Sequence, residues 1–411
     1  MQRRWAYLMR LSSRPALLLI FVQMISGMRD MPQFAFFLIY LREQLAFAPE
    51  TISSVVAGGQ VAGTIAALLG GSIATRLGSK SVLVSGLILA GLGSLVFQLH
   101  PPWAVVLVWI VSGAGSAMVT VGGASYLTRL SDRGALGILA ALYALSMTIG
   151  GAIGNPIAGV IIEQHGFSLF GWVAIAVTIT IVLIAALFMA NLSDQNLIAT
   201  VTASQQNAVW ASSFLTVRHT NVRLLIVLRS LPTIFYGMLM VLIPLLINDL
   251  SGSKVLVATY GTATLIVASA TQLLAGRAAD RWGARRPTMV AYGTILLSGV
   301  GLAISASSVW GLFVFGVIGI AAAWALSALM YVWVADGVPK AEHAATFGLL
   351  HAVWSLSMIS GSLLGSWLLR WANGLPFFVA GLLNLASILL IRIYYARNAI
   401  AEKAPATLST P

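Results

Sequence analysis

Long apolar stretches alternate with short polar breaks along almost the whole chain. A helix needs roughly 20 apolar residues to cross about 30 Å of hydrocarbon. Charged residues or Gly/Pro turn signals separate nearly all of these runs, and residues 305–308, which offer only serines, are the exception. The predicted spans are 15–41, 51–75, 80–99, 102–128, 134–162, 167–191, 223–248, 254–279, 286–306, 308–335, 343–370 and 374–396. The pattern predicts an all-α integral membrane protein with twelve transmembrane helices.

The basic segment before the first span could be mistaken for a signal peptide. Residues 15–41 are too long for the apolar core of such a peptide, and no small-residue cleavage site follows them. We therefore expect the first span to stay attached.

Composition supports a membrane protein and excludes several kinds of site. The 411 residues are 59% hydrophobic and 8% charged, which is too little charge to cover a soluble protein of this length. The absence of cysteine excludes disulfides and thiolate metal sites. Zinc-protease, nucleotide-binding and nucleophile-elbow motifs are also missing. We expect no enzyme and no cofactor, and a transport function driven by an ion or solute gradient.

The basic residues lie mostly on one side of the predicted helices. With a cytoplasmic N-terminus, the opposite side carries only Arg42, Lys254 and Arg370 of the 23 lysines and arginines. This asymmetry satisfies the positive-inside rule with both termini cytoplasmic. It also explains the net charge of +12 without a nucleic-acid partner. We expect a monomeric, multi-pass protein of the plasma (inner) membrane, with the lipid bilayer and a small-molecule substrate as partners.

The longest polar stretch divides six helices from six. The predicted domains are an N-terminal bundle at 1–190, a cytoplasmic linker at 191–222, a C-terminal bundle at 223–396 and a cytoplasmic tail at 397–411. The linker is either flexible or lies partly on the membrane surface.

The two halves contain related segments. GSIATRLGSK at 71–80 follows the second span, and GRAADRWGARR at 276–286 follows the eighth. Leu-Ser-Met at 145–147 and again at 356–358 precedes two glycines with identical spacing. A duplicated six-helix unit builds two bundles around a central path, which suits alternating access.

These features resemble the major facilitator superfamily over nearly the full chain. The family's loop signature is roughly G-x-x-x-D-R-x-G-R-R/K. The second copy matches it apart from Ala284, inserted before the arginine pair, and the first copy has Thr75 in place of aspartate. The resemblance implies two pseudo-symmetric six-helix bundles and a secondary transporter. It also implies a conformational latch formed by Gly276, Asp280, Arg281, Gly283 and Arg285.

The fifth span is similar to the glycine-proline pattern of many exporters in this family. Gly150, Gly154, Pro156 and Gly159 fit the pattern, whereas Asn155 intrudes and the last glycine is missing. The resemblance favours export. Close helix packing, for which small residues four apart are also suited, is an equal alternative.

Few ionisable residues lie deep inside the spans, where they are costly unless they face protein or water. Arg29 and Asp30 lie in the first span and Arg229 in the seventh, and each arginine has a proline three residues later. Guanidinium groups bind carboxylate or phosphate in a two-pronged way and stay charged when buried. In the family, helices 1 and 7 line the central cavity, so the resemblance implies anion binding by both arginines. Pairing of Arg29 with Asp30, or of Arg229 with headgroups, is the structural alternative.

Helical spacing extends each arginine into a row of three side chains. The first row continues with a glutamine and an aromatic residue, and the second with a threonine and an aromatic residue. Residues on helices 2, 5 and 11 are added because these helices border the cavity in the family. The predicted substrate-binding residues are Arg29, Gln33, Phe36, Gln60, Asn155, Arg229, Thr233, Tyr236 and Trp354. His351 is interpreted as an interface residue.

Asp30 is the only carboxylate deep in any span. Low dielectric favours a neutral acid and a neighbouring cation favours the anion, so such a group can carry a proton. We predict that Asp30 couples transport to protons. A permanent ion pair with Arg29 is equally compatible with the sequence.

Three functions compete at this point. The leading hypothesis is an exporter of an anionic or zwitterionic metabolite, coupled to protons or to a counter-solute. It is favoured because two arginines but only one carboxylate lie deep in the spans. The second is a proton-coupled multidrug efflux transporter, in which Asp30 attracts cations. The third is a membrane receptor or scaffold without transport, which the degenerate loop at Thr75 favours slightly.

Overall fold

A computed structural model describes most of the chain. The described residues are 14–130, 136–191, 220–339 and 342–403. Side chains are described throughout these ranges except at 70–77, 136–137, 344–345 and 397–403. Most of the predicted linker and the end of the predicted tail lie outside the described residues, as do the side chains of most of the first loop copy.

Helices account for nearly all of the described residues, and their numbering follows the chain. A single helical segment, Leu136–Phe188, contains two helices, α5 and α6, because Gly166 has a non-helical φ of 83°. A short 3₁₀ turn, Gly93–Gln98, extends α3. The other helices are α1 Arg14–Glu43, α2 Pro49–Leu77, α3 Ser79–Leu92, α4 Pro102–Leu130, α7 Thr220–Ser251, α8 Lys254–Trp282, α9 Arg285–Ile304, α10 Val309–Gly337, α11 His343–Leu369 and α12 Leu375–Lys403.

The prediction of an all-α integral membrane protein is confirmed. Within the described residues, ten helical segments are long and apolar enough to cross a membrane. The count approaches the predicted twelve when Gly166 is taken as a break and α1 is included. Helix α1 is not among the ten because Arg29, Asp30 and two glutamines lower its mean hydropathy.

The chain divides into two compact units. The first comprises Met1–Thr200 with Pro244–Ile266, and the second comprises Val201–Ile243 with Val267–Pro411. The end of α7 and the first half of α8 thus pack with helices α1–α6. The division into bundles at 1–190 and 223–396 stays a prediction.

Glycines set the approach of α1 and α5 in the first unit. A Cβ on Gly150 would lie 1.9 Å from the carbonyl oxygen of Met24, and one on Gly154 would lie 2.1 Å from that of Met28. On the opposite helix, a Cβ on Gly27 would lie 2.2 Å from the carbonyl oxygen of Met147. Backbone-to-backbone contact of this kind is typical of membrane helices with small interfacial residues.

The second unit repeats this contact between α7 and α11. A Cβ on Gly361 would lie 2.2 Å from the carbonyl oxygen of Ile234, and one on Gly237 would lie 2.5 Å from that of Met358. The Leu-Ser-Met segments therefore occupy matching positions, with Met147 and Met358 against equivalent glycines. The repeated segment of the sequence is thus explained by helix packing.

We expect that Gly150→Ala lowers the thermal unfolding midpoint of the detergent-purified protein. The added methyl group would overlap backbone, so α1 and α5 must separate, at a cost of about 1–3 kcal/mol. Gly293→Ala is the matched control, because a Cβ there meets nothing within 4 Å. That variant should be neutral or slightly more stable, since alanine is the better helix former. Equal midpoints for the two variants would contradict the proposed contact.

Candidate functional site

A proline shapes α7 beside Arg229. Pro232 has no N–H, so the carbonyl of Leu228 loses its donor within the helix. Tyr292 on α9 supplies the missing hydrogen bond, with its hydroxyl 2.7 Å from the Leu228 oxygen. The hydroxyl of Thr233 donates to the carbonyl oxygen of Arg229 at 2.7 Å. These bonds fix the turn of α7 from which the arginine projects.

Arg229 lies in a cavity of about 290 Å³ within the second unit. Its Nη1 donates to the hydroxyl of Ser327 on α10 at 2.8 Å. Its Nε is buried and has no hydrogen-bond partner among the described residues. No carboxylate among the described residues pairs with the guanidinium of Arg229. The cavity is lined by Arg229, Pro232, Thr233, Tyr236, Gln272, Ala323, Trp324, Ser327, His351 and Trp354.

Aromatic rings form much of the remaining wall. Tyr236, Trp324 and Trp354 line the cavity, and the imidazole of His351 stacks on Trp354 with ring centroids 5.7 Å apart. A guanidinium beside flat apolar surfaces suits a solute that combines an anionic group with a planar or apolar body. Thr233, Tyr236 and Trp354, which the sequence predicts as substrate-binding, meet here with Arg229.

Arg29 forms an ion pair in the first unit. Its Nη2 lies 2.7 Å from Oδ1 of Asp30, and its Nε donates to the same oxygen at 2.7 Å. Its Nη1 donates to the hydroxyl of Thr178 on α6 at 2.9 Å. The Arg29 side chain is 0% exposed, whereas that of Asp30 is 25% exposed. The arginine is therefore held inside the bundle, and the carboxylate is the accessible member of the pair.

Asp30, and not Arg29, lines a second cavity of about 230 Å³. Gln33 and Gln60 line the same cavity, together with Trp109 and Ser112 on α4. The Oε1 of Gln33 accepts a hydrogen bond from the hydroxyl of Ser94 at 2.9 Å. Oε1 of Gln60 is buried without a hydrogen-bond partner among the described residues.

The structure places two residues of the predicted α1 row away from this cavity. Arg29 and Phe36 do share a face, but that face points toward α6. Phe36 is 0% exposed and packs edge-on against Phe170, with ring centroids 6.0 Å apart. Thr178, the partner of Arg29, lies two turns along α6 from Phe170. Residues one position along the helix, such as Asp30, turn by about 100° and so reach the cavity instead.

The two arginines do not occupy equivalent positions in the repeat. Gly27 and Gly237 make the same contact and are 210 residues apart, whereas Arg29 and Arg229 are 200 residues apart. A shift of ten residues moves a side chain about 15 Å along a helix and onto another face. Arg29 and Arg229 therefore lie at different positions in their helices, and anion binding by both arginines stays a prediction.

Asn155 lies between α5 and α8 and lines neither cavity. Its side chain is 4% exposed, and its Nδ2 lies 2.8 Å from where a Cβ on Gly261 would stand. Pro156, the next residue, leaves the Ala152 carbonyl without a helical donor, and Thr262 donates to that oxygen at 3.3 Å. Within the segment that resembles an exporter signature, Asn155 and Gly159 thus contact α8, whereas Gly150 and Gly154 contact α1.

A polar cluster joins the end of α1 to α7 and α8 in the first unit. Nζ of Lys254 lies 2.5 Å from Oε1 of Glu43 and donates to Oδ1 of Asn248 at 2.9 Å. Asn248 closes the triangle by donating to Glu43 at 2.8 Å. Arg42 and Asp249 form a longer pair nearby, at 3.4 Å. We call Glu43, Asn248 and Lys254 the α1–α8 cluster.

A second carboxylate reinforces this end of the first unit. Oε2 of Glu163, at the end of α5, accepts hydrogen bonds from the backbone N–H of Val255 at 2.9 Å and from the hydroxyl of Ser253 at 2.9 Å. A carboxylate is well placed at a helix N-terminus, because it accepts the free N–H groups and complements the helix dipole. The start of α8 is thus fastened to both α1 and α5.

The sequence matches the profile of the Major Facilitator Superfamily over residues 18–327 and again over 225–410. The chain belongs to the Major Facilitator Superfamily. The overlapping second match is consistent with the internal repeat. Because this is a transporter family, the expectation of a non-enzymatic membrane transporter is confirmed.

Individual transport proteins resemble the chain at low sequence identity. The tetracycline resistance protein, class B, of Escherichia coli is 25% identical over 190 residues, a match that spans 43% of this chain and 44% of that protein. The crystal structure of the nucleoside transporter NupG (D323A mutant) has a TM-score of 0.75 at 15% identity, covering 92% of this chain and 99% of that one. A D-xylose-proton symporter has a TM-score of 0.73 at 14% identity, covering 94% and 97%. At these identities the structural likeness establishes the fold alone.

The superfamily loop between α8 and α9 is described in full. Gly283 has a φ of 75°, and Gly78 in the first copy has a φ of 85°, so both copies turn through the left-handed region that glycine favours. Asp280 and Arg281 are exposed, and the guanidinium carbon of Arg281 lies 5.7 Å from the centroid of the Trp282 ring. A Cβ on Gly276 would meet nothing within 4 Å, and Arg285 begins α9. The latch role of these residues stays a prediction.

Sequence reasoning missed several residues that line the cavities. Trp324 and Ser327 on α10, and Trp109 and Ser112 on α4, were not predicted, and His351 was interpreted as an interface residue. Helix α10 carries few polar residues that could mark the face a cavity uses. In α4, Ser112 and Ser116 stand four residues apart on the cavity face, so the sequence does offer a polar stripe there. The register of the internal repeat, which the repeated glycines show, indicates that Arg29 and Arg229 lie at different positions in the repeat.

Proposed function

We propose that this chain is a secondary active transporter that exports a small organic anion or zwitterion with a planar apolar portion. In this proposal both termini are cytoplasmic, the protein lies in the plasma membrane, and protons or a counter-solute drive transport. Arg229 binds the anionic group and the surrounding aromatic side chains bind the body of the solute.

The observation that carries the proposal is that the guanidinium of Arg229 has no anionic partner among the described residues. A partly buried guanidinium in a membrane-spanning helix is costly unless an anion or a wet cavity compensates it. Ser327 satisfies one of its nitrogens, Nε has no partner, and no carboxylate among the described residues pairs with it. An anionic solute would supply the missing acceptor in a two-pronged contact. The cavity volume of about 290 Å³ fits a small metabolite.

Asp30 is our candidate for proton coupling. Its carboxylate lines a cavity, while Arg29 behind it is fully buried and also held by Thr178. We assign Arg29 a positioning role: it fixes the carboxylate at the cavity wall. Protonation of Asp30 would release the ion pair and could thereby couple proton uptake to helix movement.

The α1–α8 cluster is expected to hold one conformation of the transport cycle. Any state in which the end of α1 leaves α8 must break the contacts among Glu43, Asn248 and Lys254. The chain has no cysteine, so a single introduced cysteine reports accessibility directly. Val257, which is 1% exposed on α8, is a suitable site for Val257→Cys.

We expect that Lys254→Ala increases the maleimide labelling rate of Val257→Cys by about threefold to fivefold, because the lost pair, whose side chains are 12% and 33% exposed, contributes up to roughly 1 kcal/mol. Arg42→Ala is the control, because its pair is 3.4 Å long and its partners are each 37% exposed. That variant should change the rate by less than about twofold. Equal rates for the two variants would rule out a special role for the cluster.

Proton-coupled multidrug efflux is a second candidate function. The similarity to a tetracycline resistance protein favours it, although that match covers under half of either chain. In this case Asp30 would attract a cationic drug and Arg229 would be structural. A membrane receptor or scaffold without transport remains the alternative from another class.

A transport screen separates these functions. The purified chain in proteoliposomes would be offered aromatic carboxylates, zwitterionic amino acids and lipophilic cations, each with and without a pH gradient. Our proposal predicts movement of carboxylates or zwitterions that increases with the gradient. Movement of lipophilic cations alone would support multidrug efflux, and no movement under any gradient would support the receptor.

A further inference from the structure

An apolar groove of about 400 Å³ lies between α8, α9 and α10 in the second unit. Much of its wall is alanine, including Ala278 and Ala322, and these small side chains leave a slot between the helices. Leu274 and Val290 at its edge are 63% and 68% exposed. An exposed apolar slot on membrane-spanning helices suits the chemistry of a lipid acyl chain.

A basic cavity adjoins the groove at one end. Arg285, Arg286 and Arg392 line this open cavity of about 660 Å³ together with Met289 and Val290. Arg286 and Val290 also line the groove, so the apolar and basic cavities adjoin each other. All three arginines are exposed, and no carboxylate lines either cavity. The combined site is therefore amphipathic, with three cations at its polar end.

The surroundings place this polar end at a membrane surface. Trp282, a groove residue, is 58% exposed, as is typical of tryptophan at the lipid–water interface. Asp280 and Asp336 in the flanking segments are exposed as well, but the arginines outnumber them. The charge asymmetry of the sequence assigns this end to the cytoplasmic leaflet, whose anionic lipids attract basic side chains.

We propose that this combined cavity is a binding site for an anionic phospholipid. The headgroup phosphate contacts Arg286 and its neighbours Arg285 and Arg392, and one acyl chain lies along the groove past Val290 and Leu274. Recognition requires both parts of the lipid, because the arginines bind only the anionic headgroup and the groove binds only the chain.

Native mass spectrometry of the full-length chain in detergent tests this proposal with phosphatidylglycerol as the probe. Phosphatidylcholine with the same acyl chains controls for headgroup charge, and glycerol phosphate controls for the chains. We expect phosphatidylglycerol to bind at least about tenfold more tightly than either control. The triple variant Arg285→Gln, Arg286→Gln, Arg392→Gln should lose at least about tenfold in affinity.

Two control variants show whether a loss of lipid binding is specific to this site. Arg277→Gln removes an exposed arginine of α8 that lines neither cavity, so it should leave lipid binding unchanged. Ala278→Trp fills the groove and should weaken binding, whereas Leu297→Trp, at a 70% exposed position outside the groove, should not. If the triple variant does not fold, Arg286→Gln alone takes its place and should still weaken binding.

Three results would overturn the proposal. Equal binding of phosphatidylcholine would exclude headgroup recognition. Equal binding of glycerol phosphate would indicate a site for small anions. Unchanged binding by the arginine variants would place the lipid elsewhere.

Discussion

Replacing Arg229 by glutamine is expected to raise the KM for the transported anion by roughly 30- to 1000-fold. Loss of a charge-assisted contact at a partly buried site costs about 2–4 kcal/mol, which corresponds to that range. Glutamine keeps a polar side chain that can donate a hydrogen bond, but it is shorter and carries no charge. Arg229→Lys should fall between the two, because lysine keeps the charge and loses the planar two-pronged geometry. Initial rates of uptake into proteoliposomes provide the measurement.

The stability of the Arg229→Gln variant distinguishes binding from a structural role. Nε of Arg229 is buried without a partner, and no carboxylate among the described residues pairs with it. Its removal should therefore leave the thermal unfolding midpoint unchanged or raise it, as at other sites that retain an unfavourable group for function.

Arg29→Gln is the matched control for that measurement. Arg29 is fully buried and bonds to both Asp30 and Thr178, and losing such charged hydrogen bonds costs about 1–3 kcal/mol. Arg29→Gln should unfold at a clearly lower temperature. A similar loss of stability in Arg229→Gln would show that both arginines are structural, and the anion site would then have to be abandoned.

Asp30→Asn is expected to abolish pH-gradient-driven transport while exchange of labelled for unlabelled solute continues. Asparagine has nearly the same shape as aspartate but cannot take up or release a proton. Net transport needs the proton step, whereas exchange needs only the loaded carrier to reorient. Both activities can be measured on the same proteoliposomes, with and without an imposed pH gradient.

Glu50→Gln controls for the general loss of a carboxylate. Glu50 lies in the first turn of α2. It lines neither the Arg229 cavity nor the Asp30 cavity. This variant should retain both driven transport and exchange. Full pH-driven transport by Asp30→Asn would exclude Asp30 as the proton carrier and leave its ion pair with a structural function.

The sequence predicted the helical architecture because membrane spans impose a simple length and composition rule. It also predicted the repeat, since the paired Leu-Ser-Met segments keep Met147 and Met358 against equivalent glycines. Gly78 and Gly283 likewise keep a positive φ in both loop copies. These features depend on local backbone requirements, which a single sequence can display.

It was harder to predict which side chains of each helix point into the bundle and which line a cavity. In α1 the polar residues Arg29 and Gln33 bond to Thr178 and Ser94, so the polar face is satisfied inside the bundle. Asp30, one position after Arg29, reaches the cavity, and Gln33 lines it while bonding to Ser94. Polarity alone cannot separate these directions, because buried hydrogen bonding and cavity lining select the same residue types.

The shared Arg-x-x-Pro spacing does not place Arg29 and Arg229 in the same register of the repeat. The two arginines are 200 residues apart, whereas Gly27 and Gly237, which make the same contact, are 210 residues apart. An added Cβ on these glycines would overlap a carbonyl oxygen of the neighbouring helix, so the glycines fix the register better than the arginines do.

The most direct test of the account compares two solutes that differ only in charge. An aromatic carboxylate and its neutral amide would be offered to the wild-type protein and to Arg229→Gln in proteoliposomes. The account predicts that the wild-type protein transports the carboxylate in strong preference to the amide, and that Arg229→Gln loses this preference. Equal transport of both solutes by the wild-type protein, or an unchanged preference in the variant, would contradict it.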